Sequence, residues 1–335
     1  MRPFGVRRRL TVGVPTLAAV LALGGYGPCP SRPEGTAAAS QGARRLPERQ
    51  AVAPLRTQVL QHLPHDPRAF TEGLEMAHGM LYEGTGGLAH GDSAVTAGPV
   101  GRPPVHRAEL PPPLFGEGIT VLGRTLWQLT WRDGVAVERD ARTLAERRRV
   151  TYTGEGWGLC HRRRDGRLVM SDGSDRLAFR DPSTFAVTGT VAVTEHGRPV
   201  TGLNELECVD GDTVYANIVG TGRLVRIDGA TGAVTGSVDA SQLLTPAESR
   251  EAGELNGVAA VPGTDQFLLT GKRWPKMFRV RFVDVGLRLG SPEGGSRLPR
   301  VDTRVGWARR GGGRRHDGSA GRSGSYSPCQ DGLAA

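Results

Sequence analysis

A chain of 335 residues with 49 glycines, 23 prolines and only 5 % aromatic residues favours many turns and short strands over long helices. Its formal charge of +9 is concentrated at the ends, +6 over residues 1–50 and +5 over 285–335, which leaves −2 for the middle. A slightly acidic centre without a basic stripe interleaved with aromatics excludes a nucleic-acid-binding role.

At the N-terminus, Arg7, Arg8 and Arg9 precede the apolar run LTVGVPTLAAVLALGG. This reads as an export signal over residues 1–28, too short and Gly-broken for a stable membrane span. The arginine cluster also admits a twin-arginine route. Cys29 suggests a lipoprotein site, but Pro28 before it argues against that processing. Residues 29–54, rich in Arg, Pro and Ala and without periodicity, read as a linker. The four cysteines form no CxxC pair and the eight histidines no HExxH, so no zinc site is expected. Cys160 and Cys208 are either a disulfide of an exported protein or two small buried thiols.

The middle of the chain repeats. Five stretches share a polar residue, a small turn, an apolar residue, a loop and a second apolar strand: FTEGLEMAHGMLYEGTG, FGEGITVLGRTLWQLTW, EGWGLCHRRRDGRLVMSDGS, LNELECVDGDTVYANIVGTG and LNGVAAVPGTDQFLLTGKRW. With Gly73, Gly118, Gly158, Glu205 and Gly257 in one register, the steps are 45, 40, 47 and 52 residues. That period, with further alternating segments after each unit, is one blade of a β-propeller. The expected fold is all-β: a five-bladed propeller over residues 55–284 whose inner strands line a central channel. Pairing of RTQVLQHL with MFRVRFV would close the circle and hide an edge strand.

The residue before the repeated small position is Glu72, Glu117, Trp157, Asn204 and Asn256 in turn. The strands return with Thr85, Thr130 and Trp131, Asp172, Asn217, and Thr270 and Lys272. Convergent polar groups on a channel point to a binding or catalytic pocket. Glu117 lies between two glycines, which are expected to let a substrate atom approach it closely.

In order and at blade spacing, HDPRAFTEGL, LYEGTG, FGEGIT, LTW, GEGWGL, SDGS, LNELE, YANI, LNGVA and TGKRWP resemble the plant-type and bacterial glutaminyl-peptide cyclotransferases. The resemblance runs from about Gln58 to Val283. It implies a five-bladed propeller that needs no metal or cofactor and turns an N-terminal Gln into pyroglutamate with release of ammonia. Structural calcium is compatible with the fold, but the sequence offers no ligand loop for it. By motif, Glu117 is the proton shuttle, and Asn204 and Lys272 are the donors that polarise the amide. Glu72 stands where the family carries Gln or Glu and would bind the substrate amine, or else is a channel acid paired with Lys272. Phe70, Phe115, Trp131 and Trp157 form the apolar walls, and Asn256 is structural. The partners implied are peptides with an N-terminal Gln, met by an exported monomer.

Three stretches depart from the family pattern. Val219 stands where a Trp usually forms one more wall. Residues 87–107 lack the alternation of the outer strands of blade one, which is therefore expected to be poorly formed there. Beyond Val285 the chain is rich in Gly, Arg and Ser without a period and reads as a disordered tail. Two other classes fit less well. One is a propeller that binds peptide N-termini without turning them over. The other is a calcium-dependent propeller hydrolase, which Lys272 and the tryptophans fit poorly.

Overall fold

Short alternating runs such as RLVRID, with its buried Leu224, Val225 and Ile227, are separated by Gly- and Asp-containing turns, so they form strands. The computed structural model describes residues 51–286 except His90 and Asp210. The expected export signal, most of the linker, Cys29, Cys329 and the tail lie outside the described residues.

Strand β1 (Ala53–Pro64) is followed by four-stranded blades. Blade 1 holds β2 (Thr71–Ala77), β3 (Met80–Thr85), β4 (Ala94–Gly98) and β5 (His106–Glu109). Blade 2 holds β6 (Gly116–Leu122), β7 (Thr125–Thr130), β8 (Val135–Asp140) and β9 (Glu146–Thr151). Blade 3 holds β10 (Leu159–Arg162), β11 (Arg167–Met170), β12 (Arg176–Arg180) and β13 (Val187–Ala192). After a two-residue pair, β14 (Thr194–Glu195) with β15 (Arg198–Pro199), blade 4 holds β16 (Leu203–Val209), β17 (Thr213–Ile218), β18 (Arg223–Asp228) and β19 (Val234–Asp239). Blade 5 holds β20 (Leu255–Ala260), β21 (Gln266–Gly271) and β22 (Lys276–Asp284), and takes β1 as its outer strand.

The closure is the one the sequence suggests. β1 pairs antiparallel with β22 from Leu55 opposite Asp284 to Pro64 opposite Lys276. Its first residues, Ala53 to Arg56, also run parallel to Gly236–Asp239 of β19, so β1 bridges blades 4 and 5. The five-bladed, all-β expectation is met. Blade one corrects the expectation for residues 87–107. There β4 pairs along its length with β3 and then with β5, and its Val95 and Ala97 are buried beside Ile119 and Leu126. Small residues are enough here because the chain folds back tightly: a Cβ on Gly98 would lie 2.7 Å from Pro104 Cα. Only the short β5 remains mostly exposed.

The third and fourth strands of blades 2, 3 and 4 are joined by one repeated turn. Asp140, Asp181 and Asp228 each accept backbone N–H groups two and three residues on, and the following Thr hydroxyl as well. Cys160 of β10 and Cys208 of β16 form a disulfide across blades 3 and 4, which decides between the two readings left open for them.

Candidate active site

The inner strands meet level around the axis because glycines let their backbones touch. A Cβ on Gly73 would lie 2.7 Å from Ile119 N, one on Gly118 2.5 Å from Trp157 O, and one on Gly158 2.1 Å from Asn204 O. This corrects the role expected for the glycines beside Glu117. Gly118 is filled by blade 3, and a Cβ on Gly116 would lie 2.5 Å from Thr85 O. Both glycines serve contact between blades, each with neighbouring backbone where a Cβ would stand.

Beside those glycines the ladders slip. Register shifts fall between Thr71 and Gly73, Gly116 and Ile119, Leu203 and Leu206, and Leu255 and Val258. Glu72, Glu117, Asn204 and Asn256 sit in these irregularities, which turn side chains off the sheet faces. All four are buried.

Lys272, just after β21, sits between two carboxylates, 3.1 Å from Glu72 Oε1 and 2.9 Å from Glu254 Oε1. The alternative reading of Glu72 as a partner of Lys272 is therefore what the geometry contains. Asn256 Nδ2 donates to Glu72 Oε2 at 2.8 Å and to Thr71 O at 3.0 Å, the structural role expected of it. Glu117 Oε2 and Asn204 Oδ1 are buried without a hydrogen-bond partner, so both side chains have unused capacity at the axis.

The charges sort these groups. Burial raises the Glu117 carboxyl well above the ordinary range, and the neighbouring Glu72 adds to this while Lys272 opposes it. Burial likewise raises Glu72 against the pull of Lys272. Burial disfavours the Lys272 ammonium, yet Glu72 and Glu254 hold its pKa above the usual lysine value. The result is a fixed cation, ion-paired with Glu72 and Glu254, beside a Glu117 carboxyl that gives up its proton reluctantly.

An aromatic arc surrounds this group. Lys272 Nζ lies 4.8 Å from the centroid of Phe70, Phe70 packs edge-on to Phe115 at 6.2 Å, and Phe115 lies 5.6 Å from Trp131. Trp157 lies over Gly173, where a Cβ would come within 2.7 Å of the indole. Glu72, Lys272, Phe70, Phe115 and Trp131 are thus linked contact by contact, Glu117 lies within electrostatic reach of Glu72 and Lys272, and Trp157 and Asn204 hold the equivalent place in blades 3 and 4. Val219 caps no aromatic wall: it sits in the turn after β17, its N–H bonded to Gly202 O.

Other members of the expected circle are elsewhere. Asp172 is exposed and bonds Ser174 in a turn. Thr85 and Thr130 satisfy backbone groups within their own blades, and Asn217 accepts the N–H of Gly257.

Sequence reasoning missed Glu155, Glu205 and Glu254 as contributors. Glu155 and Glu254 each stand two residues before the axial residue of their unit, Trp157 and Asn256. Phe70 and Phe115 hold the same place before Glu72 and Glu117, so the repeat register contained the signal. Glu205 accepts the N–H groups of Leu74 at 3.1 Å and Val258 at 2.8 Å, tying blade 4 to blades 1 and 5 across the axis. Among the described residues, no group of three or more His, Cys, Asp or Glu is arranged to hold a metal ion.

A five-bladed all-β propeller with a lysine held between two carboxylates and an aromatic arc beside it is the class of protein that the fold and these side chains define. The chain belongs to the glutamine cyclotransferase family, whose profile matches residues 34–282. It is 33 % identical over 241 residues to the glutaminyl-peptide cyclotransferase of Arabidopsis thaliana, covering 70 % of this chain and 73 % of that one. It is also similar to the solved glutaminyl cyclase of Myxococcus xanthus, with a TM-score of 0.64 and 36 % identity, over 70 % of this chain and all of that one.

Proposed function

We infer that this protein is a glutaminyl-peptide cyclotransferase, closing the N-terminal Gln of peptides or proteins to pyroglutamate with release of ammonia. The observation that carries the reading is a buried carboxylate with a free oxygen, Glu117, beside a lysine held between Glu72 and Glu254. The neutral α-amine attacks the side-chain amide carbon, and an N–C bond forms in a five-membered ring. Glu117 takes the proton lost by the attacking nitrogen and returns it to the amide nitrogen, which leaves as NH₃ when its C–N bond breaks. A raised pKa suits both transfers, because a proton carrier works best near the operating pH. Lys272 and the Asn204 amide face the oxygen that gains charge in the tetrahedral state. Phe70, Phe115, Trp131 and Trp157 fold the Gln side chain onto its own amine and exclude water. Glu72 fixes Lys272, its two oxygens being taken by that lysine and by Asn256.

No step in this path calls for a metal or cofactor. The assay is ammonia release from a Gln-Ala peptide with and without a strong chelator. Equal rates are expected, and activity lost to the chelator and restored by zinc would overturn the metal-free mechanism.

The catalytic unit is residues 55–284, acting as an exported monomer after removal of the N-terminal segment. No helix among the described residues is long and apolar enough to cross a membrane. N-terminal sequencing of the mature chain tests the export reading, which fails if Met1 or Arg2 is retained.

A further inference from the structure

The connection from blade 2 to blade 3 carries a third carboxylate, for which the path above has no use. Glu155 Oε2 accepts the indole N–H of Trp131 at 2.9 Å and that of Trp157 at 3.0 Å. Its Oε1 accepts Arg132 Nε at 2.9 Å, and the Arg132 guanidinium lies 3.8 Å from the centroid of Trp131. The two indoles come from different blades, Trp131 from the end of β7 and Trp157 from the approach to β10. An indole N–H can only donate, so each ring needs one acceptor, and a single oxygen serves both.

We propose that Glu155 is a positioning residue for cyclisation, its carboxylate fixing the gap between Trp131 and Trp157 that receives the glutamine side chain. This rests on the reading of those tryptophans as substrate walls. The competing description is an exposed Arg132–Glu155 ion pair, a kind of contact that contributes little. That description does not account for two indoles on the oxygen that Arg132 leaves free. Gly173 adds a second constraint by letting Trp157 lie flat against its backbone. The indole of Trp157, then Arg132 and Trp131, hold the Glu155 carboxyl below its ordinary pKa, so it remains the charged acceptor wherever the substrate amine is neutral.

The carboxylate also acts at a distance. After burial, its charge is one of those that raise Glu117, together with Glu72 and Glu254 and against Lys272, and the Tyr152 hydroxyl in the same connection donates to Thr130 O.

The test compares the full-length parent with Glu155→Ala, Glu155→Gln and Trp131→Ala on a Gln-Ala peptide, reading kcat and KM separately across pH. Loss of hydrogen bonds to a charged acceptor should raise KM by about ten-fold in Glu155→Ala, with kcat changed by less than about three-fold. Glu155→Gln keeps the shape and one acceptor oxygen, so its KM should fall between parent and alanine variant. Its acidic limb in kcat should move to lower pH, because a negative charge near Glu117 is gone. Unchanged KM in Glu155→Gln and Glu155→Ala, with Trp131→Ala impaired, would overturn the proposal while leaving the cyclase reading standing, whether or not the limb moves. Unchanged KM in Trp131→Ala as well would remove the tryptophan walls, and the proposal with them. A parent inactive on every Gln peptide would remove both readings.

Discussion

Replacing Glu117 by Gln removes a proton acceptor and little else. The side chain is 6 % exposed and its Oε2 makes no hydrogen bond, so the amide breaks no existing contact of that oxygen. The residues that grip the substrate, Phe115, Trp131 and Trp157, are untouched. General acid–base assistance is worth about 10²- to 10⁴-fold, or about 3–5 kcal/mol of barrier, so kcat should fall by at least about a hundred-fold. KM should change by less than about three-fold, read from initial rates of ammonia release. Stability should move the other way. The folded carboxyl titrates above the unfolded one, so between those two pKa values the folded state binds more protons and loses stability as pH rises. Glutamine has no proton to lose. The variant should therefore melt no lower than the parent at pH about 8, near the amine pKa. Its Tm should also decline less steeply as pH rises from the ordinary carboxylate range. A variant as active as the parent would show that the wrong carboxylate has been named. A variant that loses activity together with several degrees of Tm would make Glu117 a structural residue.

Three further outcomes are expected. Glu72→Gln retains an acceptor for Lys272 and should keep activity within about ten-fold of the parent. Glu72→Ala loses that acceptor and should fall further; equal activities would remove Glu72 from the site. The Cys160–Cys208 bridge closes a separation of 48 residues, worth about 4 kcal/mol in the chain-entropy account. The double serine variant should therefore melt about 8–16 °C lower, and a drop under about 2 °C would show that the bridge adds nothing. Deleting residues 286–335 should leave Tm within about 2 °C, since that stretch carries no periodic apolar face; a larger fall would place the boundary of the folded unit further on.

The propeller was legible because its blades repeat, and the candidate side chains were proposed from the repeat register and the family motifs together. A blade every 40–52 residues puts equivalent positions at one end of an axis, and the residues there were unlike the small or apolar ones that a plain channel needs. What pairwise contact decides was not legible. The glycines beside Glu117 were misread because the atoms crowding Gly116 and Gly118 belong to Thr85 and Trp157, in other blades. Strand β4 was missed because Ala94–Gly98 buries small residues that carry little alternation in hydropathy. Asp172 looked axial by register, but its turn uses the carboxylate on Ser174. Glu155 and Glu254 share a register place with Phe70 and Phe115, and a place that is aromatic in two blades and acidic in two shows no single chemistry.

The most direct test of the central claim is a competition followed by mass spectrometry. The full-length protein is incubated with an equimolar mixture of a Gln-initiated peptide, its N-acetylated form and its Asn-initiated counterpart. Attack by a free amine through a five-membered ring requires that the Gln peptide alone lose one ammonia, at a rate well above the enzyme-free control. Loss from the acetylated peptide would contradict amine attack. If the Gln peptide binds and is never converted, the pocket at Glu117 recognises peptide N-termini without catalysing their cyclisation.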